Sequence, residues 1–232
     1  SEREYHGRHA FPAARPSAML ASTLAILASY LLGSVPFGLV MARVIKGVDL
    51  REVGSGNIGA TNAMRVLGKP LGLVAFLLDF GKGLVPTLVL APHAAALDET
   101  TPWLAASVCG TAAVIGHCFP LYLRFKGGKG VATGCGAIVG VDPMIFVLSG
   151  LVWVLCLVTT RYVGLASIVM GLAFPVVAAI RMDDAAAFVF ACGLLSLLVV
   201  VRHRANIKRM FAGTEPRIGR EAKGAPAPDE DS

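Results

Sequence analysis

The chain has 232 residues, 55% of them hydrophobic and only 16% charged, with a net charge of +6. Soluble globular chains carry about 25% charged residues, so this composition excludes both a disordered chain and a water-soluble fold, which would lack the polar surface to cover its core. A net positive charge can mark a nucleic-acid binder, and whether it does here depends on where the charges sit.

Taken in chain order, residues 1–17 are polar, do not begin with Met and are read as an extension or remnant outside the fold. Apolar runs follow at 19–41, 71–91, 103–121, 143–159, 163–180 and 185–201, each close to the roughly 20 residues that a spanning helix needs. The first run has the length of a signal peptide as well. It lacks a small-residue cleavage site and continues into a Gly-rich loop, so it reads as the first span.

A shorter Gly-rich run at 131–141 is ambiguous by length. Counting it as a seventh span puts sixteen basic residues on the side of the first loop and four on the other, a strong positive-inside bias. Omitting it scatters the basic segments over both sides. The expected fold is therefore an all-α integral membrane protein with seven transmembrane helices, the N-terminus outside and the C-terminus cytoplasmic. Residues 18–215 form its single domain, and 216–232 are expected to be a disordered cytoplasmic tail. On this topology the cytoplasmic segments carry +9 and the outer ones −3. No nucleic-acid surface is implied.

Three cytoplasmic segments are more than connectors. The first contains Ser55, Gly56, Asn57, Thr61, Asn62 and Arg65: glycines that admit close backbone approach, short polar side chains and a guanidinium suited to phosphate. The second carries Lys126, Gly127, Gly128 and Lys129 ahead of the short run. It is not a Walker A loop, because Leu123 and Gly130 stand where Gly and Ser/Thr are required. It remains two cations on a Gly-rich turn, an expected anion cradle. His117 lies near the end of an apolar run and fits a structural histidine as well as a functional one.

In the third segment, His203, Asn206 and Met210 share a helix face among many basic residues. Positive-inside flanking or lipid-headgroup binding accounts for much of that charge. Asp79 and Lys82 stand at i and i+3 inside a span, a costly pairing that marks an interior or functional position. Ser167 follows Arg161 near the start of the run at 163–180, the sixth span when the short run is counted. Together these segments fit an anionic, phosphorylated substrate at one membrane face. The five cysteines, Cys109, Cys118, Cys135, Cys156 and Cys192, fall mostly in apolar runs without a CxxC pair and read as small buried hydrophobes. No metal site is expected.

Residues 55–65 (SGNIGATNAMR), 116–133 (GHCFPLYLRFKGGKGVAT) and 202–215 (RHRANIKRMFAGTE) resemble, in order, the three signature motifs of the bacterial membrane acyl-phosphate:glycerol-3-phosphate acyltransferases (PlsY). The strings GSVPFG at 33–38 and DFGKG at 79–83 extend the resemblance from about residue 20 to 215. It implies a seven-helix enzyme of the bacterial inner membrane with its site on the cytoplasmic side. Such an enzyme moves a fatty acyl group from acyl phosphate to the 1-hydroxyl of sn-glycerol 3-phosphate, giving lysophosphatidate and phosphate. No cofactor and no obligatory protein partner are implied; membrane lipid surrounds it.

Matching residue by residue, Ser55, Gly56, Asn57, Thr61 and Arg65 fall in the first motif and Lys126, Gly127, Gly128 and Lys129 in the second. His203, Asn206 and Glu215 fall in the third, and Ser167 at a polar site after Arg161 and Tyr162. Ser55, Lys129, His203 and Asn206 are expected to be catalytic and the others, with Asn62, to bind substrate. An acyl phosphate already bears a good leaving group, so direct transfer without a covalent enzyme intermediate is expected. The proton can pass to His203 or to a substrate phosphate. His93 and Asp98 match the H-x-x-x-x-D pattern of other glycerophosphate acyltransferases, but the loop is assigned outside and no companion motif follows. A transporter of a phosphorylated solute is the other reading; its site would lie near the midplane, often between repeats, and no repeat is visible.

Overall fold

Lipid offers no partner to a backbone N–H or C=O, so a spanning chain must satisfy its own, and helices do so within one segment. The computed structural model describes residues 16–97, 103–183 and 185–219, and all of its regular structure is helical. Five segments are long and apolar enough to span a membrane: Pro16–Lys46, Lys69–Ala94, Leu104–Leu123, Pro143–Thr160 and Val163–Arg181. A sixth, Ala186–Arg202, counts when taken with the helix bent from it by 52°.

The first run is not one regular helix. Pro36 has no N–H to continue the ladder, so α1 (Pro16–Ser34) ends there and α2 (Phe37–Lys46) begins beyond it. At this break the Val35 carbonyl accepts from Lys82 Nζ at 2.7 Å. A short α3 (Ala60–Leu67) follows the first loop, and α4 (Lys69–Val85) starts with Pro70 in its first turn. The chain continues past α4 through a π-helical turn, Pro86–Leu90, and a 3-10 stretch, Ala91–Leu97, which carries the exposed His93. Asp98, its partner in the H-x-x-x-x-D pattern, lies outside the described residues.

Then come α5 (Leu104–Cys118), α6 (Val131–Val141), α7 (Pro143–Thr160), α8 (Val163–Arg181), α9 (Ala186–Arg202) and α10 (Arg204–Phe211). Asp142 caps α7, its Oδ1 accepting from the Met144 N–H at 2.7 Å. α7 lays one stripe, with Ile145 and Ser149 buried and Phe146 and Trp153 half-buried, against the protein, while Leu148, Leu151, Val154, Leu155 and Val158 face outward, as a helix at the lipid boundary requires.

Small residues set the closest crossings, as expected where no water drives helix association. On α1 and α5, a side chain at Gly33 would strike the Ala113 backbone and one at Gly116 the Tyr30 carbonyl. On α4 and α6, Gly83 abuts Thr133 and Gly136 abuts Phe80 in the same way. One apolar core gathers Ile138, Ile145, Met170, Phe174 and Phe188 from α6 to α9. A second, of Leu39, Leu50, Ile58 and Leu67, lies beneath the first loop and fixes it to α2, α3 and α4.

The short α6 shares both its ends with α8. At one end Lys129 and Gly164 both meet Asn206; at the other, Asp142 Oδ2 pairs with Arg181 Nε at 3.0 Å.

Candidate active site

The first loop is wound around one buried amide. Asn62 Oδ1 accepts from the Ser55 N–H at 2.8 Å, and its Nδ2 donates to the Leu50 and Val53 carbonyls, both at 3.0 Å. Gly54, at φ +62°, faces the Asn62 carboxamide with no room for a side chain. Asn62 therefore serves the loop itself. Around it Ser55, Gly56, Thr61 and Arg65 are exposed, and Asn57 accepts from the Gly59 N–H at 2.9 Å through Oδ1.

The second loop is clamped from both sides. The N–H groups of Gly127 and Gly128 donate to the Cys118 and His117 carbonyls at the end of α5, at 3.2 and 3.0 Å. Their own carbonyls accept from Arg202 at the end of α9: Nε to Gly128 at 2.8 Å, and Nη2 to Gly127. The Arg202 guanidinium also lies 5.4 Å from the Phe119 ring centre. Both glycines have thus spent their backbone donors within the protein. The turn offers its lysine side chains, exposed Lys126 and half-buried Lys129, rather than an open cradle of N–H groups. Glycine is needed there for contact: a side chain at 127 would strike the His117 carbonyl, and one at 128 the His117 imidazole.

Lys129 joins the second loop to the third. Its Nζ donates to Asn206 Oδ1 at 2.6 Å; Asn206 Nδ2 donates to Glu215 Oε1 at 2.6 Å, and Arg209 Nε to Glu215 Oε2 at 2.7 Å. Burial pulls the Lys129 ammonium down to about 8, against the attraction of Glu215 and with the repulsion of Arg209, Arg65 and Arg202. The charge of Arg65, on α3 in the first segment, also acts on Lys129, so the first segment is coupled electrostatically to the other two.

His203 stands at the bend between α9 and α10 and is 2% exposed. Its Nδ1 lies 2.8 Å from the Val199 carbonyl. A carbonyl only accepts, so the proton sits on Nδ1 and Nε2 keeps its lone pair. Burial draws this imidazole down to about 4, with the Lys129 cation adding to the effect.

Ser167 is buried on α8, where its Oγ accepts from Trp153 Nε1 at 3.4 Å. It borders an apolar cavity of about 20 Å³, shared with Gly130, Phe174 and Val199, room for no more than a water-sized group. Inside the span, Asp79 and Lys82 form a 2.8 Å ion pair, each side chain 2% exposed, and His117 Nδ1 lies 3.8 Å from the same carboxylate oxygen.

Of the expected site residues, Lys129, Asn206 and Glu215 form one hydrogen-bonded network, and the charges of Lys129 and Glu215 act on His203 as that of Arg65 acts on Lys129. Ser55, Gly56, Asn57 and Thr61 line the first loop, and Asn62, Gly127 and Gly128 hold loops in shape. Arg202 was not singled out from sequence, because a cation at the cytoplasmic end of a span needs no further explanation.

A sequence model of the family described as glycerol-3-phosphate acyltransferase matches residues 23–213. A glycerol-3-phosphate acyltransferase of Rhodospirillum rubrum is 45% identical over 203 residues, covering 86% of this chain and 92% of the relative. One of Macrococcus caseolyticus is 41% identical over 195 residues, covering 84% and 96%. Among solved structures, the fold is similar to PlsY (YgiH), an integral membrane glycerol 3-phosphate acyltransferase, in its glycerol 3-phosphate form. The TM-score is 0.79 with 40% identity, covering 86% of this chain and 96% of that one.

Proposed function

Because the chain belongs to the glycerol-3-phosphate acyltransferase (PlsY) family, we propose that it transfers a fatty acyl group from acyl phosphate to the 1-hydroxyl of sn-glycerol 3-phosphate. The products are 1-acyl-sn-glycerol 3-phosphate and inorganic phosphate. The observation that carries this reading is the charge imbalance around Lys129 among the described residues: Lys129, Arg65, Arg202 and Arg209 against the carboxylate of Glu215. A half-buried site with that surplus favours anionic ligands, and each substrate brings a phosphate.

In this reading the acceptor phosphate takes its counter-charge from Lys129 and Arg65, with the exposed Ser55 and Thr61 hydroxyls as further donors. The glycerol oxygen attacks the acyl carbonyl carbon, the bond from that carbon to the phosphate oxygen breaks, and the phosphate leaves with the hydroxyl proton. A neutral imidazole drawn down to about 4 is a weaker base than a phosphate dianion, whose conjugate acid has a pKa of about 6. The proton therefore goes to the donor phosphate, while His203 Nε2 accepts a hydrogen bond from the hydroxyl and aims it. No enzyme nucleophile takes part. Asn62, Gly127, Gly128 and Glu215 act through the groups they hold.

The same reading gives the chain seven crossings, with α6 as the short one, its N-terminus outside, its C-terminus inside and the site on the cytoplasmic face of the bacterial inner membrane. The sixteen-to-four division of basic residues supports this orientation.

The test is purified protein with palmitoyl phosphate and glycerol 3-phosphate. Release of lysophosphatidate and phosphate in equal amounts is expected. Turnover with acyl-CoA instead of acyl phosphate, or acyl label retained on the denatured protein, would overturn the donor or the direct route respectively.

A further inference from the structure

Beyond Phe211 the chain turns back across the site. The Thr214 and Glu215 N–H groups donate to the Arg209 carbonyl at 2.8 and 3.1 Å, and the Ile218 N–H donates to the Arg161 carbonyl at 3.0 Å. The Arg217 guanidinium lies 4.7 Å from the centre of the Tyr162 ring, within cation–π range. Arg161 and Tyr162 form the turn between α7 and α8, and two residues after Tyr162, Gly164 packs against the Asn206 side chain. Residues 214–218 therefore run as a strap from α10 to the head of α8. Glu215 is on its inner side, 7% exposed, and Arg217 on its outer side. The family model matches residues 23–213, so Arg217 lies past it.

We propose that Arg217 and Tyr162 are the clasp of this strap and act as positioning residues for acyl transfer, holding Glu215 against Asn206 and, through Asn206, the Lys129 ammonium. The inference rests on the acyl-transfer reading above. Neither side chain belongs to the Lys129–Asn206–Glu215 network. Their effect passes through the carboxylate, which among the described residues is the negative group that acts on Lys129; Arg65 on α3, Arg202 on α9 and Arg209 on α10 act on it with positive charge, and His203 stands nearby. Opening the clasp lets Glu215 move away, leaving Lys129 with those cations and easing loss of its proton.

The experiment compares wild type, R217A, Y162L, Y162F and the double variant R217A/Y162L in one detergent. Turnover and calorimetric binding of glycerol 3-phosphate are followed from pH 6 to 10. R217A and Y162L should each lower kcat/KM by about three- to fivefold, the scale of one surface cation–π contact, and shift its alkaline limb to lower pH. Y162F keeps the aromatic face and should match wild type. The double variant should be no worse than the worse single one, since both open one clasp.

Unmoved limbs and affinities in R217A and Y162L would overturn the proposal, as would additive losses in the double variant or a Y162F as impaired as Y162L. If R217A does not fold, the Y162L and Y162F pair decides alone. A wild type that binds glycerol 3-phosphate without turnover would sink the acyl-transfer reading, and the binding limbs would still judge the clasp.

Discussion

Lys129 and Asn206 are 77 positions apart in sequence, and their side chains meet at 2.6 Å. That contact makes the turn between α5 and α6 and the helix after α9 parts of one site. It also sets what the amide can do: Asn206 Oδ1 receives the ammonium while Nδ2 gives to Glu215 at 2.6 Å, so the amide carries the carboxylate's influence to the lysine. Replacing Asn206 by Leu removes both bonds, taking from Lys129 its acceptor and leaving Glu215 held by Arg209 alone. A drop in kcat/KM of about 10- to 100-fold is expected, the range for a hydrogen bond to charge. Steady-state kinetics on palmitoyl phosphate and glycerol 3-phosphate would check it.

The pH profile should report Lys129. An ordinary lysine keeps its proton to beyond pH 10, whereas burial brings this one to about 8. In the proposed mechanism the protonated form binds phosphate, and it is lost as pH rises through that value, so kcat/KM should fall above about pH 8. A bound phosphate stabilises the ammonium, so kcat at saturation should hold to higher pH. K129R stays protonated throughout; it should be slower at pH 7 and lack the alkaline limb.

His203 is expected to orient rather than to accept the proton outright. H203A should then lose activity by less than about a hundredfold, at the bottom of the range for removing a general base. A loss of about a thousandfold or more, with glycerol 3-phosphate affinity intact, would make His203 the base.

The two glycines of the second loop should differ. A methyl at Gly127 meets main-chain oxygens of His117 and Cys118, which cannot move without unwinding the end of α5; a methyl at Gly128 meets only the His117 ring. G127A should therefore be the more damaging change in activity and in thermal unfolding. H117A, which removes the obstructing ring, should recover part of the loss in G128A but not in G127A.

Breaking the Asp79–Lys82 pair leaves a lone charge in the interior. Either D79L or K82M should destabilise the protein by about 3–5 kcal/mol, and the double variant by less than either, because uncharged side chains owe nothing to desolvation. Thermal unfolding in detergent measures the order.

Hydropathy and charge made the long spans and the clustering of polar loops legible in the sequence, because lipid punishes polar groups regardless of tertiary detail. The break at Pro36 was hidden by a run apolar on both sides of it. Asn62, Gly127 and Gly128 carried the composition of a phosphate loop, and only the folded chain shows that their donors are spent on neighbouring carbonyls. Composition counts donors without saying where they point. Arg202 was legible as a charge but not as a clamp, and nothing in the sequence paired Tyr162 with Arg217, since their meeting depends on how the chain turns after α10.

The ends that α6 and α8 share carry one more consequence. At 1.5 Å per residue, α6 is about 16 Å long and α8 about 28 Å. Against that difference of about 12 Å, long side chains tie both ends of the shorter helix, Lys129 reaching to Asn206 on α10 and Arg181 on α8 reaching to Asp142. In the orientation proposed above, the shorter helix would leave the glycine turn nearer the hydrocarbon, with its ammonium reaching back toward the water. A donor anchored by its tail in the leaflet and an acceptor dissolved in the cytosol could then meet at the phase boundary, each still in the medium that dissolves it.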